Sequence, residues 1–284
     1  MRHEHILRYI ASDVWLMDDA RLDAIIEVVK NGPLLAEFPK VEQQPTESPQ
    51  GIAIIPVVGT IAPKMNMMTA LSGGTTAEGI ENAVLATERD DSIAVRIMEM
   101  DSPGGFVEGV EEAAAVIRES AKVKPIIGVI NHQASSAMYW MGSAVSELFA
   151  SPSARGGSIG VASVHTWKDE ANSEVKHEIL KIGERKAQEH PYGPLTDEAR
   201  ASIMDRMQEV YGRFVGAVAE HRQTTTQNVM ENFGKGGTLS AQQMAEVGMI
   251  DGLKTMRQVV SEQLSNLSRK QKYRSYLDSP RQRA

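Results

Sequence analysis

The strongest constraint on the fold is an alternation of strand-like and helical patterns between residues 52 and 162. The strand-like runs are apolar and rich in β-branched residues, whereas the helical patterns repeat apolar residues at three- and four-residue spacing. The strand-like runs are 52–61, 93–100 and 125–130, and the helical patterns are 76–89, 107–117 and 136–146. Such alternation predicts parallel βαβ units in an α/β fold, with helices packed on the sheet.

Two unusual turns follow strand-like runs. Asp-Ser-Pro-Gly-Gly at 101–105 follows one run, and a polar turn at 131–133 leads from the next run into Ser135 and Ser136. Ligands of parallel sheets bind at the carboxyl ends of the strands. We therefore expect the two turns to contribute to one site.

Ser136 is the candidate nucleophile because a strand, a turn and a helix together lift one hydroxyl out of the sheet. A serine in this position can attack a carbonyl if a neighbouring group takes its proton. Serine is also a favoured N-cap residue, so a simple helix cap is the alternative interpretation. Ser135 is the rival nucleophile because it is adjacent.

Gly104 and Gly105 are candidate donors of hydrogen bonds to an oxyanion. We expect them to open the helix at 107–117, where backbone N–H groups without side chains around them would attract an anion. Acyl transfer needs such donors to stabilise its tetrahedral intermediate. An ordinary Pro-Gly turn is the alternative interpretation.

The base that would activate the serine is not fixed by spacing, because catalytic groups assemble in any chain order. A lysine base would need its pKa lowered by burial. Lys186 follows a strand-like segment at 178–183, so it could reach the sheet edge from that loop. The downstream candidates are His165, Lys168, Lys176, His177, Lys181, Lys186 and His190.

Composition excludes several function classes. A net charge of -7 argues against a general nucleic-acid-binding role. The lack of cysteine removes thiol nucleophiles, disulfides and cysteine zinc sites. We expect no signal peptide, because no apolar region follows the charged N-terminal residues, and no membrane-spanning helix, because no apolar run is long enough. We expect a cytoplasmic chain that needs neither metal nor cofactor.

The chain divides into four parts. We predict an N-terminal helical segment at 1–40, a polar linker with prolines at 41–50 and one main domain at 51–265. The last part, 266–284, is basic and is predicted to be a disordered tail. Only this tail offers a candidate contact with nucleic acid or with an acidic scaffold.

Four motifs in a fixed order carry a family resemblance. They are Asp-Ser-Pro-Gly-Gly at 101–105, Ala-Ser-Ser-Ala at 134–137, Gly-Ser-Ile-Gly-Val at 157–161 and Gly-Glu-Arg-Lys at 183–186. Over residues 50–265 this order resembles the signal peptide peptidase A family of serine peptidases, above all its phage head-maturation branch. The resemblance implies the fold shared by Clp proteases and crotonases, with repeated ββα and βαβ units.

The resemblance also implies roles for individual residues. Ser136 would be the nucleophile of a Ser–Lys dyad and Lys186 its general base. His165 is the rival base, because the Clp proteases of this fold use histidine. The implied oxyanion donors are Gly104 or Gly105 with Ala137, and the implied cleft residues are Gly157, Ser158, Ile159 and Gly160.

The resulting hypothesis is an oligomeric serine endopeptidase that cleaves scaffold, capsid or portal proteins inside a phage prohead. A crotonase-like enzyme acting on a coenzyme A thioester is one alternative, since it would use the glycine amides without Ser136. A non-catalytic assembly factor on the same fold is the other alternative.

Overall fold

The computed structural model describes residues 14–17, 46–48, 51–64, 74–165, 167, 178–190 and 192–277. The predicted N-terminal helix through Leu22 and Val29 lies outside these residues, whereas residues 14–17 of the segment predicted to be helical form a strand. The strands are β1 (Val14–Met17), β2 (Thr46–Ser48), β3 (Ile52–Val58), β4 (Ile61–Ala62), β5 (Thr75–Thr76), β6 (Val95–Ser102), β7 (Gly104–Phe106), β8 (Ile126–Ser135), β9 (Glu147–Ala150), β10 (Arg155–Gly157), β11 (Ala162–Ser163), β12 (Thr238–Ser240) and β13 (Gly252–Leu253). The helices are α1 (Ala77–Arg89), α2 (Val110–Val123), α3 (Ala137–Ser143), α4 (Asp197–His221), α5 (Thr226–Asn232), α6 (Ala241–Glu246) and α7 (Met256–Leu277).

A mostly parallel sheet forms the centre of the molecule. Its strand order is β12-β10-β8-β6-β3-β2, and β9 pairs with both β8 and β13. Strands β3, β6, β8 and β10 run parallel, while β2 and β12 close the edges in antiparallel fashion. This architecture confirms the predicted α/β class. The segment 41–50, predicted to be a linker, contains the edge strand β2.

A smaller second sheet has the order β11-β1-β7-β4-β5. Three of its strands continue strands of the main sheet, because β4 follows β3, β7 follows β6 and β11 follows β10. Helices α1 and α2 come after the first two of these pairs, as in repeated ββα units. Strand β1 comes from the N-terminal part of the chain and lies between β7 and β11.

Apolar side chains cover both faces of the main sheet. The larger cluster includes Ile80 of α1, Ile117 of α2 and Met138 of α3, all of which are buried. The smaller cluster joins Val259 of α7 to strand residues such as Ile97. Burial of this kind is the main stabilising contribution in a domain of this size. None of the helices in the described ranges has the length and apolar character needed to cross a membrane.

Arg96 is an exception to the apolar filling of the core. Its side chain is fully buried in β6. The guanidinium donates to the Val84 carbonyl at 3.0 Å, to Ser120 Oγ at 2.6 Å and to the carbonyls of Ser120 and Lys124. Burial lowers the pKa of Arg96. The side chain therefore ties α1 and α2 to the start of β8.

The helix predicted at 107–117 begins later than expected. Gly104 and Gly105 belong to the short strand β7, and α2 starts at Val110. The prediction that the glycine pair opens a helix is therefore wrong. The reason is tertiary, because Gly105 pairs with Ile61 of β4 and with Leu16 of β1.

Two other segments also differ from the predictions. Residues 178–183 form no strand, and Leu180 and Ile182 are 85% and 98% exposed because they pack on no part of the described chain. The tail predicted from 266 instead continues α7 to Leu277. Leu264 and Leu267 pack on the smaller apolar cluster, which extends the helix beyond the predicted boundary.

Candidate active site

Ser136 lies at the junction of β8 and α3. Its backbone has φ 56° and ψ −119°, a region that residues with a side chain rarely occupy. The Ser136 N–H donates to the Gly157 carbonyl at 2.7 Å, and its carbonyl accepts from the Trp140 N–H at 3.0 Å. Backbone strain that is held by surrounding bonds in this way is concentrated at functional sites.

The Ser136 hydroxyl is buried and makes no hydrogen bond to any part of the chain that the structure describes. In particular, Ser136 occupies the N-cap position of α3, but its side chain makes no capping hydrogen bond. A buried polar group without a partner destabilises the folded state by about 1–3 kcal/mol. Such a group calls for an explanation, and a role in binding or reaction is one.

Helix α3 is held in place by its two aromatic residues. Trp140 stacks on Phe214 of α4 with ring centroids 4.7 Å apart. Tyr139 donates its hydroxyl to the Met249 carbonyl at 2.9 Å, and burial raises the pKa of Tyr139. The sequence around Ser136 did not predict these two contacts, because Phe214 and Met249 are far from Ser136 in sequence.

Strand register brings the predicted elements together. Ser102 of β6 pairs with Ala134 of β8, so Gly104 and Ser136 each lie two residues beyond the same pair. On the other side of β8, Ser135 pairs with Gly157 of β10. The glycine pair, the serine and the start of the predicted cleft therefore meet at the carboxyl ends of three neighbouring parallel strands.

The polar turn predicted at 131–133 is part of β8. The register passes from Met100↔Ile130 to Ser102↔Ala134, so β8 contains two more residues than β6 over this interval. An irregularity of this kind bends a strand and redirects its end. The irregularity in β8 therefore affects the position of Ser136 at the end of this strand.

The candidate donors differ in their existing bonds. The Gly104 N–H already donates to Ser102 Oγ at 3.2 Å, and φ at Gly104 is 100°. At Gly105 a Cβ atom would approach the Ile61 carbonyl oxygen to 1.8 Å, so only glycine fits. Ala137 is the first residue of α3, where N–H groups have no acceptor within the helix. Ala137 is thus better placed as a donor than Gly104, whose N–H already has an acceptor.

The predicted cleft residues form the turn between β10 and β11. Gly157 has φ 102° and Ser158 has φ 52°, and the Ser158 N–H donates to the Gly237 carbonyl at 2.8 Å. Ser158 is therefore fixed through its backbone. A pocket of about 430 Å³ opens beside this turn. It is lined mainly by apolar residues, among them Ile159, Gly160, Val161, Met204, Met207 and Tyr211.

Neither predicted base contacts the serine. Lys186 lies exposed in a turn, where its N–H donates to the Gly183 carbonyl at 3.1 Å. The His165 ring donates through Nε2 to the Gly193 carbonyl at 3.0 Å. The rival nucleophile Ser135 accepts a hydrogen bond from Gln133 at 2.9 Å, so its hydroxyl is engaged. The structure brings together the candidate nucleophile, the candidate donors and the predicted cleft residues, but not a candidate base.

Comparison with known proteins gives a family match. The model of Peptidase family S49 matches residues 118–268, which is more than half of the chain. The matched region includes Ser136 and all the predicted cleft residues.

The chain is also similar to individual phage and bacterial proteins. Capsid assembly protease C of Escherichia phage lambda is 29% identical over 205 residues, which are 72% of this chain and 46% of the relative. Head-tail preconnector protein GP5 of Enterobacteria phage P21 is 29% identical over 60% of this chain and 34% of the relative. Protease 4 of Salmonella typhi is 26% identical over 74% of this chain and 33% of the relative. The chain thus matches less than half the length of each of these relatives.

Proposed function

The chain belongs to Peptidase family S49, and from that premise we propose that it is a serine peptidase with Ser136 as its nucleophile. The observation that carries the proposal is the strained, buried Ser136, whose hydroxyl has no partner in the described structure. A hydroxyl without a structural role, next to backbone donors at a strand end, supports nucleophilic attack on a peptide carbonyl.

The proposed reaction has two acyl-transfer steps. Ser136 Oγ adds to the peptide carbonyl while a base takes its proton, and the amides of Ala137 and of Gly104 or Gly105 stabilise the oxyanion. Collapse of the intermediate breaks the C–N bond, and the proton passes to the leaving amine. Water then hydrolyses the acyl-enzyme ester and regenerates the serine.

We propose Lys186 as the base, with His165 as its rival. Lys186 must move from its exposed turn to within hydrogen-bond distance of Ser136 Oγ. Catalytic hydrogen bonds often tighten only as the transition state forms, so the lack of contact between Lys186 and Ser136 in this structure does not exclude this pairing. His165 would first have to release the Gly193 carbonyl.

The substrate class follows from the relatives. A capsid assembly protease and a head-tail preconnector protein among them support action on phage structural proteins. We propose scaffold, capsid or portal proteins as substrates, cleaved during prohead maturation by a homo-oligomer. The alternatives, a coenzyme A thioester enzyme and a non-catalytic assembly factor, give the unpartnered Ser136 hydroxyl no role.

The dyad is tested by casein cleavage, followed by mass spectrometry, with variants of both partners. We expect Ser136→Ala to lower the rate by a factor on the order of 10³ or more, and Lys186→Ala to lower it about 10²–10⁴-fold. Lys181→Ala is the matched control, because Lys181 lies exposed in the same segment. Loss of activity in His165→Ala with full activity in Lys186→Ala would assign the base to His165 instead.

A further inference from the structure

Strand β1 has an unusual position in the second sheet. It pairs in antiparallel fashion with β7 through Trp15↔Phe106, Leu16↔Gly105 and Met17↔Gly104. On its other side it pairs in antiparallel fashion with β11 through Val14↔Ser163 and Trp15↔Ala162. An N-terminal segment thus fills the space between two strands that belong to different repeats.

Strand β7 begins at the candidate active site, and β11 follows a turn that begins there. Strand β7 starts with Gly104 and Gly105, which follow the register pair that also leads to Ser136. Strand β11 follows the turn that starts at Gly157, whose carbonyl accepts from the Ser136 N–H. We call the space between them the β7–β11 groove. It runs from the oxyanion donors along the predicted cleft.

We propose that the β7–β11 groove is the substrate-binding groove, that β1 occupies it as a built-in substrate, and that the Met17–Asp18 bond is the first bond cleaved. This inference rests on the proposed function. Main-chain pairing with an exposed strand edge is a general mode of peptide recognition, and it tolerates many side chains. Strand β1 pairs on both edges, as a bound peptide would.

The register of β1 against β7 identifies the peptide bond that we expect to be cleaved. Because β1 runs antiparallel to β7, its chain proceeds from Phe106 towards Gly104, and Met17 lies opposite Gly104. Gly104 and Ser136 each lie two residues beyond the Ser102↔Ala134 pair, and we take both to lie at the same level. The Met17 carbonyl is therefore the β1 carbonyl at the level of the nucleophile, next to the candidate donor Gly105.

The chemistry balances without a further reactant except water. Ser136 Oγ bonds to the Met17 carbonyl carbon, the Met17–Asp18 C–N bond breaks, and the serine proton passes through the base to the new Asp18 amine. Water hydrolyses the ester, which leaves a carboxylate at Met17 and restores the Ser136 hydroxyl. Residues 1–17 are released, and the chain then begins at Asp18.

The composition of β1 matches that of the pocket beside the turn between β10 and β11. All four residues of β1, Val-Trp-Leu-Met, are apolar. The pocket beside the turn between β10 and β11 is lined by apolar residues that include Met204 and Met207. Methionine adapts its shape readily, so such a pocket accepts varied apolar side chains. We expect later substrates to have apolar residues before the cleaved bond as well.

Occupation of the groove by β1 also inhibits cleavage of other substrates. A tethered segment acts at an effective concentration on the order of a millimolar. A segment that binds with a dissociation constant of about 0.1 mM would then leave the groove free only about one tenth of the time. We expect casein cleavage to start slowly and to accelerate about tenfold as residues 1–17 are removed.

The test follows the mass of the full chain and its casein cleavage over time. Wild type should yield a species beginning at Asp18, whereas Ser136→Ala should stay intact. Trp15→Pro removes one backbone N–H and fixes φ within β1, so it should show no lag and a starting rate about tenfold above wild type. Trp15→Val retains a strand-forming residue and should behave as wild type does.

A second measurement does not depend on turnover. In the Ser136→Ala chain, hydrogen exchange at 104–106 should be slow because β1 pairs with β7. Addition of Trp15→Pro should speed this exchange while the exchange of β8 stays unchanged. The unchanged β8 shows that the domain is still folded, and equal exchange at 104–106 in both chains would overturn the proposal.

Failure of this inference is distinguishable from failure of the proposed function. If casein is cleaved in a Ser136-dependent manner while the N-terminus stays intact and Trp15→Pro matches Trp15→Val, the proposal for β1 is wrong and the peptidase stands. Cleavage at a bond other than Met17–Asp18 overturns the register assignment. If no chain cleaves casein or itself, the proposed peptidase function is wrong, and the proposal for β1 is then wrong as well.

Discussion

At the scale of single residues, we expect the Ser136 hydroxyl to lower the stability of the folded chain while it provides the activity. It is buried without a hydrogen bond in the described structure, so Ser136→Ala removes an unsatisfied polar group. We expect the free energy of unfolding to rise by about 1 kcal/mol while activity is lost. Urea unfolding of wild type and variant measures the change.

Ser135 provides the matched control. Its hydroxyl is equally buried but accepts from Gln133 at 2.9 Å, so Ser135→Ala leaves that amide without its acceptor. We expect this variant to lose about 1 kcal/mol and to keep its nucleophile. If Ser136→Ala is the less stable of the two, Ser136 has a structural partner and the argument from its hydroxyl is contradicted.

At the scale of elements, α3 depends on its contact with α4. Trp140 is 2% exposed and stacks on Phe214, so Trp140→Ala should leave a cavity and lower the free energy of unfolding by about 4 kcal/mol. Casein cleavage should fall too, because α3 positions Ser136 and the Ala137 amide. Trp140→Phe keeps a stacked ring and should lose much less. Equal loss of activity in both variants would show that the anchor is not the cause.

At the scale of the whole molecule, His221 links α3 to α4 and makes stability depend on pH. His221 Nδ1 lies 2.9 Å from Ser143 Oγ. Burial first, and then Arg118 and Arg222, lowers the pKa of His221 from 6.5 to about 4. The unfolded chain therefore binds a proton before the folded chain does, so stability is complete above pH 6.5 and falls as the pH drops towards 4.

Replacement of His221 isolates this contribution. Urea unfolding of wild type and His221→Gln at pH 7 and pH 5 should show a smaller loss of stability on acidification in the variant. The comparison removes the contribution of the carboxylates, because both chains share them. An identical loss in the two chains would contradict the lowered pKa.

The whole molecule also shows which features could be predicted from sequence. The α/β alternation and the position of Ser136 depend on local patterns, and the structure agrees with both. The strand character of Gly104 and Gly105 depends on pairing with β1 and β4, which no local pattern encodes. The same holds for β1 itself and for the Phe214 anchor. Non-local pairing, rather than propensity, decides these features.

The central claim is that Ser136 is the nucleophile, and the most direct test compares casein cleavage by wild type, Ser136→Ala and Ser135→Ala. The variants differ only in which of two adjacent buried hydroxyls is removed. We predict that Ser136→Ala is inactive and that Ser135→Ala retains most of the wild-type rate. Full activity of Ser136→Ala, or loss confined to Ser135→Ala, would contradict the account.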